Sequence, residues 1–287
     1  RHSTEMHIVP PSGKPLKFDF DGYVLNRVAH GEFLVELAKE SGAEYLVNSR
    51  VDKVEENSVI LRNGDTYTAK VIVDAGGHNG VIRRDYWTEE STKIPVKFVL
   101  MDGDFGEAVE LHFGSMAPGG YAWMFPKSSG ANIGLGIQRS FSKGKNLNQY
   151  TEEFVAKYDG EITFNGAGSL PMSGTIKKFV KGNYVLVGDA AGMVLPSNGA
   201  GITIAMIGGR IAGNVIAEHL KSGLPLEEYE KIWKKQMGKV MANSKRSFKI
   251  GSLLFRLPDW ILNMMFNRLT KGIIWRAVTC RKMFWVV

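Results

Sequence analysis

Residues 183–188 read NYVLVG, an apolar run of β-branched and aromatic side chains bounded by Gly182 and Asp189, and this pattern predicts a short buried strand. From Ile202 the run ITIAMIGGRIAGNVIAEHL is apolar around its whole circumference, with Ala205, Gly208, Gly209, Ala212 and Gly213 removing bulk at its surface. That predicts a buried helix packed very close to a neighbour. Strand and helix are joined by a turn carrying the carboxylate Asp189, then Pro196, then Gly199 and Gly201 on either side of Ala200. Such a turn leaves main-chain amides free at the helix start, pointing at a polar ligand. An ionised carboxylate only accepts hydrogen bonds, so Asp189 calls for hydroxyl or amide donors. A tight strand-turn-helix unit with ordinary close packing would also account for the glycines, and both readings stand at this level.

Elsewhere the pattern changes period. Residues 21–42 carry Val28, Phe33, Leu34, Leu37 and Ala38 at helical spacing with Gly42 as a stop, which predicts an amphipathic helix. Residues 43–77 alternate around an Asn63-Gly64-Asp65 turn and predict three or four strands, including a hairpin. Between Pro95 and Ile137 the segments VKFVLMDGDF, AVELHFG and ANIGLGI, separated by glycine-rich turns, predict a twisted antiparallel sheet. Inside it, GGYAWMFPK puts Tyr121, Trp123 and Phe125 at alternate positions, hence on one face of a strand. Residues 146–157 and 227–249 read as amphipathic helices. The opening RHSTEMHIVPPSGKP is polar and yields no predicted element.

Composition narrows the class. With 287 residues, 44% of them hydrophobic, the chain is globular and long enough for one large or two ordinary domains. Cys280 is the only cysteine, which excludes an intrachain disulfide framework or a CxxC metal site and points to a reducing, cytoplasmic compartment. The six histidines show no paired ligand spacing, so no metal is expected, and neither a Walker loop nor a nucleophile elbow is present.

The formal charge of +7 is unevenly placed. From Lys231 onward thirteen lysines and arginines, ending in Arg281 and Lys282, stand against the single acid Asp259. They are interleaved with Leu253, Trp260, Met264, Phe266, Trp275, Phe284, Trp285 and other large apolar residues. Two readings stay open for this segment: an interfacial helix peripheral at the inner face of a membrane, or aromatics that cover the domain's own core. No nucleic-acid module accompanies the charge, so no nucleic-acid partner is expected.

The stretch GDAAG followed by PSNGAGI resembles the second flavin-binding motif of the FAD-dependent group that includes para-hydroxybenzoate hydroxylase, and within that group the geranylgeranyl reductase family. Four other matches extend over most of the chain. Tyr23, Leu25 and Arg27 are similar to the family's Y-x-L-x-R lead into a helix. AKVIVDAGG followed by HNGVIRR resembles its internal V-x-D-A-x-G element, with Asn79 near the place of its usual serine. YAWMFPK with ANIGLGI resembles its Y-x-W-x-F-P-K motif followed by N-x-G-x-G, and GAGSLPM its G-x-x-P turn.

The resemblance implies FAD held by Arg27, Val51 at the adenine, Asp74 near the pyrophosphate, and Gly188, Asp189, Pro196, Gly199, Gly201 and Ile202 around the flavin. It implies an isoprenoid pocket beside the flavin lined by Tyr121, Trp123, Phe125 and Pro126. The activity it implies is reduction of carbon-carbon double bonds in geranylgeranyl chains of lipids, with NADPH or reduced ferredoxin as electron donor and no catalytic residue named. The flavin would carry the difficult chemistry and the protein would supply orientation.

The expected fold is α/β with α+β elements. It comprises a Rossmann-like FAD-binding domain over 1–90 and 179–222, an antiparallel-sheet substrate domain over 91–178 and a basic helical segment over 223–287. The G-x-G-x-x-G phosphate cradle of such domains is not found in these residues, and the resemblance puts that unit upstream of the Arg27 helix, so the sequence reads as a fragment. Alternatives from other classes are an electron-transferring flavoprotein dehydrogenase or quinone oxidoreductase, a flavin monooxygenase of the aromatic-hydroxylase type, and a degenerate flavin fold that binds lipids or partners without catalysis. A cluster-bearing dehydrogenase would need several thiolates, and one cysteine speaks against it.

Overall fold

The computed structural model describes residues 1–89, 91–142 and 144–280. Arg281, Lys282, Phe284 and Trp285 of the basic aromatic run lie outside the described residues. The chain divides into two units, one of residues 1–45, 94–169 and 250–276, the other of residues 46–93, 170–249 and the segment from Ala277. Domain boundaries therefore fall at 45/46 and 93/94 in the first half of the chain, where sequence patterning suggested a single one at 90/91.

The first unit is built on β1 (His2–Val9), β2 (Leu16–Tyr23), β7 (Lys93–Asp102), β8 (Val109–His112), β9 (Tyr121–Lys127), β10 (Gly130–Gly136) and β11 (Glu161–Pro171). These strands form one sheet in the order β11-β7-β10-β9-β8-β1-β2. The region expected to be antiparallel is so from β7 to β10, but β1 joins β8 in parallel, with His7 opposite Glu110. The polar opening of the chain is thus a β-hairpin. Its Met6 and Ile8 are buried while Glu5 and His7 point to the other face. GAGSLPM, read as a turn, continues strand β11.

Helix α3 (Leu147–Val155) begins with a capping box. Asn146 Oδ1 accepts the Gln149 amide at 3.1 Å, and Gln149 Oε1 accepts the Asn146 amide at 2.8 Å, an arrangement worth about 1 kcal/mol. Its Tyr150, Phe154 and Val155 share a core with Ala122, Met124, Ile133 and Leu135 of the sheet. Helix α1 (Arg27–Glu40) forms where helical spacing predicted it, capped by Asn26, yet its apolar residues Val28, Phe33, Leu34 and Leu37 are all exposed.

The second unit holds two smaller sheets. β3 (Val51–Glu55), β4 (Ser58–Leu61) and β5 (Thr66–Thr68) form hairpins, and the expected Asn63-Gly64-Asp65 turn joins β4 to β5 with Gly64 at φ +95°. β6 (Ile72–Asp74), β12 (Val180–Lys181) and β13 (Tyr184–Leu186) form the other, and here the predicted buried strand β13 lies parallel to β6. Helices α2 (Val81–Tyr86), α4 (Ile202–Ser222) and α5 (Glu228–Leu254) complete it. The core around Leu186, Met193, Tyr229 and Trp233 is closed by α4 and α5.

α4 differs from expectation. Only Ile204, Gly208, Ile211, Ala212 and Val215 are buried, whereas Met206, Gly209 and Gly213 face outward. Close approach occurs at Gly208 alone, where a Cβ would lie 2.6 Å from Met193 Sδ; around Gly209 and Gly213 no atom comes within 4 Å.

On the α3 side of the large sheet lies a half-buried polar cluster. His112 Nε2 lies 2.8 Å from Glu110 Oε2, Tyr158 donates its hydroxyl to the same oxygen at 3.3 Å, and His7 Nδ1 is 3.8 Å from Glu110 Oε1. Burial raises the Glu110 carboxyl pKa, but the His112 hydrogen bond, the charges of His112 and His7 and the Tyr158 hydroxyl outweigh it and hold it below the usual value of 4.5. A carboxylate with a depressed folded pKa contributes stability that is complete above 4.5 and is lost as pH falls through the lower folded value. Glu110→Gln is expected to flatten the acid limb of a melting-temperature profile measured by circular dichroism. Parallel acid limbs in variant and parent would refute this assignment.

Candidate functional site

The parallel pairing of β13 with β6 decides where the chemistry gathers. Leu186 is in register with Asp74, and the Val187 amide donates to the Asp74 carbonyl at 3.1 Å, so both strands deliver their carboxyl ends to one place. Crevices outside the carboxyl ends of parallel strands are where open α/β sheets bind ligands. Each strand ends in an acid-bearing turn.

Asp74 is buried and spends its carboxylate internally. Oδ1 accepts the Gly76 amide at 2.8 Å and Oδ2 accepts the Arg83 amide at 2.9 Å, which ties the turn to the start of α2. The neighbouring glycine is obligatory, since a Cβ at Gly80 would lie 2.2 Å from Asp74 Oδ1. Arg83 is buried too, and its guanidinium donates to the carbonyls of Trp87 (3.0 Å) and Glu89, holding the segment after α2.

The second turn runs from Gly188 to Ala191 as a short 3-10 helix closed by Gly192. Gly192 sits at φ +69°, and a Cβ there would lie 2.5 Å from the Gly174 carbonyl oxygen, so both conformation and space require glycine. Beyond it, residues 196–201 form a loop tied from below. The Ser197 amide donates to Ser244 Oγ at 3.0 Å, Ser197 Oγ lies 3.1 Å from Cys280 Sγ, and Asn198 Nδ2 donates to the Val278 carbonyl at 3.0 Å. Gly201 then heads α4 with no side-chain cap, and a Cβ on it would be 3.5 Å from Asp189 Oδ1. Asp189, Gly201 and the first turn of α4 are therefore neighbours.

Asp189 also lines a cavity of about 310 Å³ with His78, Asn79, Arg84, Lys93 and Trp87. Lys93 Nζ donates to Asn79 Oδ1 at 3.2 Å. The His78 pKa is lowered, first by burial and then by the Lys93 charge, against the opposing pull of Asp189. The cavity thus combines cations, the acids Asp189 and Glu89 and an imidazole that is biased towards its neutral form.

In the other unit, β9 carries the three aromatics as the alternation predicted: Tyr121, Trp123 and Phe125 are half-buried on one face, and Ala122, Met124 and Pro126 are buried on the other. Ring centroids are 6.0 Å apart from Tyr121 to Trp123 and again from Trp123 to Phe125. Register explains the glycines that follow in the sequence. Gly136, Gly134 and Asn132 of β10 lie opposite Tyr121, Trp123 and Phe125, and at Gly134 the missing side chain makes room for the Trp123 ring. Asn132 Oδ1 accepts the Trp123 indole N–H at 2.6 Å and fixes its plane. Burial pushes the Tyr121 hydroxyl pKa up to about 12, which keeps it protonated at neutral pH.

Comparison with known proteins gives this arrangement its family. The geranylgeranyl reductase catalytic domain profile matches residues 92–167, the sheet that carries the aromatic wall. The digeranylgeranylglycerophospholipid reductase of Methanocella arvoryzae is 34% identical over 286 residues, covering 91% of this chain and 71% of the relative. The chain belongs to the geranylgeranyl reductase family.

Another family member, the digeranylgeranylglycerophospholipid reductase of Methanococcus vannielii, is 31% identical, with 93% of this chain and 74% of that protein covered. The Methanococcoides burtonii digeranylgeranylglycerophospholipid reductase 1 is 34% identical, and 65% of its length is covered. The chain spans from about two thirds to three quarters of these relatives. In fold it matches a geranylgeranyl bacteriochlorophyll reductase-like protein from Thermoplasma acidophilum with a TM-score of 0.83 at 22% identity, over all of this chain and 78% of that one. A flavoprotein/dehydrogenase from Cytophaga hutchinsonii matches with a TM-score of 0.69 at 18% identity, over 97% of this chain and 76% of that one.

Of the residues singled out from this family member's sequence, Asp74, Gly188, Asp189, Pro196, Gly199, Gly201 and Ile202 come together in the second unit. Val51 lies in that unit as well, but on the separate hairpin sheet. Arg27 is the first residue of α1 and is exposed, in the unit that also carries the aromatic wall. Sequence reasoning missed the roles of Arg83 and Lys93. The arginine was visible beside the Asp74 turn, whereas nothing local marks Lys93, which reaches the cavity from the start of β7.

Gly134 tests the register argument. A Cβ there would lie 2.6 Å from Trp123 Cζ2 and 2.6 Å from the Lys97 carbonyl oxygen. Gly134→Val is expected to destabilise the first unit by about 1–3 kcal/mol and to shift tryptophan emission, both read in one denaturant titration. A variant with parental emission and midpoint would show that the ring tolerates bulk at that position.

Proposed function

We propose that the protein is a FAD-dependent reductase that saturates carbon-carbon double bonds in geranylgeranyl chains of lipids. The observation that carries this reading is the Asp189 turn: an acid at the carboxyl end of two parallel strands, next to an α4 N-terminus that has no side-chain cap. The residues fit a flavin in chemistry. Asp189 would accept hydrogen bonds from ribityl hydroxyls, and the first-turn amides of α4 would meet the electron-rich carbonyl edge of the ring. Gly199, at φ +71°, and Gly201 keep side-chain bulk out of that approach. The cations of the adjoining cavity, Arg84 and Lys93, would favour the anionic part of the cofactor.

The chemistry that the flavin supplies when bound is hydride donation to an alkene carbon. What this chain contributes is position and exclusion of water. Tyr121, Trp123 and Phe125 would line an apolar channel for the isoprenoid, a surface that holds the chain by burial and not by directed bonds, whereas Pro126, expected beside them from the resemblance, is buried on the other face of β9 and takes no part. Asn132 locks the Trp123 plane, so the wall is rigid before the substrate arrives. The relatives named above carry digeranylgeranylglycerophospholipid in their names, and a substrate of that class agrees with such a wall.

The full-length purified protein is expected to show flavin absorbance when supplied with FAD. After dithionite reduction and incubation with geranylgeranyl lipids, it should yield products heavier by one hydrogen molecule per double bond reduced, as read by mass spectrometry. Peroxide release on adding substrate under oxygen, without any gain in product mass, would favour a monooxygenase instead. Asp189→Ala is expected to weaken flavin binding about ten- to a hundred-fold, the loss of hydrogen bonds to a charged group, with circular dichroism unchanged. Unaltered flavin occupancy in that variant would remove the central support of the proposal.

A further inference from the structure

The helical part of the first unit after Ile250 has two faces of different character. One is anchored on the sheet. Asp259 accepts the Ser115 amide at 3.0 Å and the Ser115 hydroxyl at 2.6 Å, and Asn263 Oδ1 accepts the Ser12 amide at 2.8 Å. Trp275 stacks on Phe18 with centroids 4.8 Å apart, Phe255 and Phe266 lie against Phe113, and Leu262 is buried. These contacts satisfy the anchoring side.

The other face is open and apolar. Trp260 and Met264, one turn apart on helix α6 (Asp259–Met265), are 63% and 66% exposed. Leu253 near the end of α5 is 63% exposed, and Leu269, just before helix α7 (Lys271–Val278), is 94% exposed. Exposed Arg256, Arg268 and Lys271 are interspersed among them. Between residues 250 and 276 four cations stand against one acid, Asp259, and that acid is turned inward to Ser115.

The interleaving decides what can cover this face. In a protein interface the apolar centre is depleted of charge, and covering Leu253, Trp260 and Leu269 would drag Arg256 and Arg268 out of water. At the boundary between headgroups and acyl chains the same order suits both kinds of side chain, since large apolar groups enter the hydrocarbon while guanidinium and ammonium groups reach lipid phosphates. Among the described residues no helix is long and apolar enough to cross a membrane, so contact of this kind lies in the plane of the interface.

We propose that the face carrying Leu253, Trp260, Met264 and Leu269, bordered by Arg256, Arg268 and Lys271, docks on an anionic lipid bilayer. The inference goes beyond the catalytic reading and stands apart from it, because docking needs neither flavin nor substrate.

The test is co-sedimentation of the full chain with vesicles of phosphatidylglycerol and phosphatidylcholine in equal parts, against vesicles of phosphatidylcholine alone. Binding to the anionic vesicles is expected to be at least about ten-fold stronger than to the neutral ones and to fall as salt rises, with tryptophan emission moving to the blue. The double change Trp260→Glu and Met264→Glu should reduce binding about ten-fold or more with an unchanged melting temperature. Should that variant fold poorly, Arg256→Gln with Arg268→Gln keeps the apolar face and should lose the preference for anionic vesicles. Failure of the parent to sediment with anionic vesicles would overturn the proposal. So would equal binding by parent and both variants, or a Trp260→Glu, Met264→Glu chain that turns from dimer to monomer in light scattering while neither form binds lipid, which would assign the face to a second copy of this chain.

Discussion

Everything at the candidate site follows from one hydrogen-bonded pairing, that of β13 with β6. Parallel strands cannot be joined by a tight turn, so their carboxyl ends emerge side by side and each must be followed by its own loop. Here the two loops contain the acids Asp74 and Asp189, and the surroundings of the two carboxylates differ. Asp74 is consumed by main-chain amides and builds a rigid turn. Asp189 stands half-exposed at the wall of a polar cavity, beside the glycine that opens α4. Shift the register by one residue and the acid that makes structure would exchange surroundings with an apolar neighbour.

How much of this could be seen in the sequence depends on whether the relevant information is local. The aromatic alternation in β9 and the hairpin at Asn63-Gly64-Asp65 are local, because period and turn chemistry reside in adjacent residues. The parallel joining of β1 to β8 is not local, since it pairs His7 with Glu110 across about a third of the chain. Its alternation was hidden because the outward positions of β1 are polar: Glu5 and His7 pair with each other at 2.9 Å, and His7 also lies 3.8 Å from Glu110 on β8. α1 and α4 show the complementary limit. Periodicity reports which faces are apolar, and it correctly located both helices, but it does not report what covers those faces. Val28 and Phe33, like Met206 and Gly209, were counted as packing positions on that basis and are exposed.

Candidate site residues divide along the same line. Asp189, Gly199 and Gly201 announce themselves because a strand, a turn and a helix start are contiguous in the chain. Lys93 carries no local signal, and its relevance comes only from the fold that brings the start of β7 to Asn79. Arg83 falls between: an arginine in a turn suggests an anion, yet its donors are taken up by the carbonyls of Trp87 and Glu89. Its geometry is that of a brace.

The large sheet shows why an antiparallel architecture suits an apolar substrate. A parallel sheet between helix layers has both faces committed to packing, whereas an antiparallel sheet can commit one and offer the other. In this chain the α3 face is closed by the core around Ile133 and Leu135, with the half-buried Glu110–His112–Tyr158 cluster at its margin. The opposite face of β9 is half-buried, with Tyr121 against Phe113 at 5.9 Å and Trp123 tied to Asn132 at 2.6 Å. The same strand therefore contributes to the core through Ala122, Met124 and Pro126 and presents on its other face the three half-buried rings proposed as the channel wall, Tyr121, Trp123 and Phe125. Because the side-chain period is two, neither set can be altered without leaving the other in place, and a wall built this way can be retuned for isoprenoids of different length while the fold beneath it stays intact.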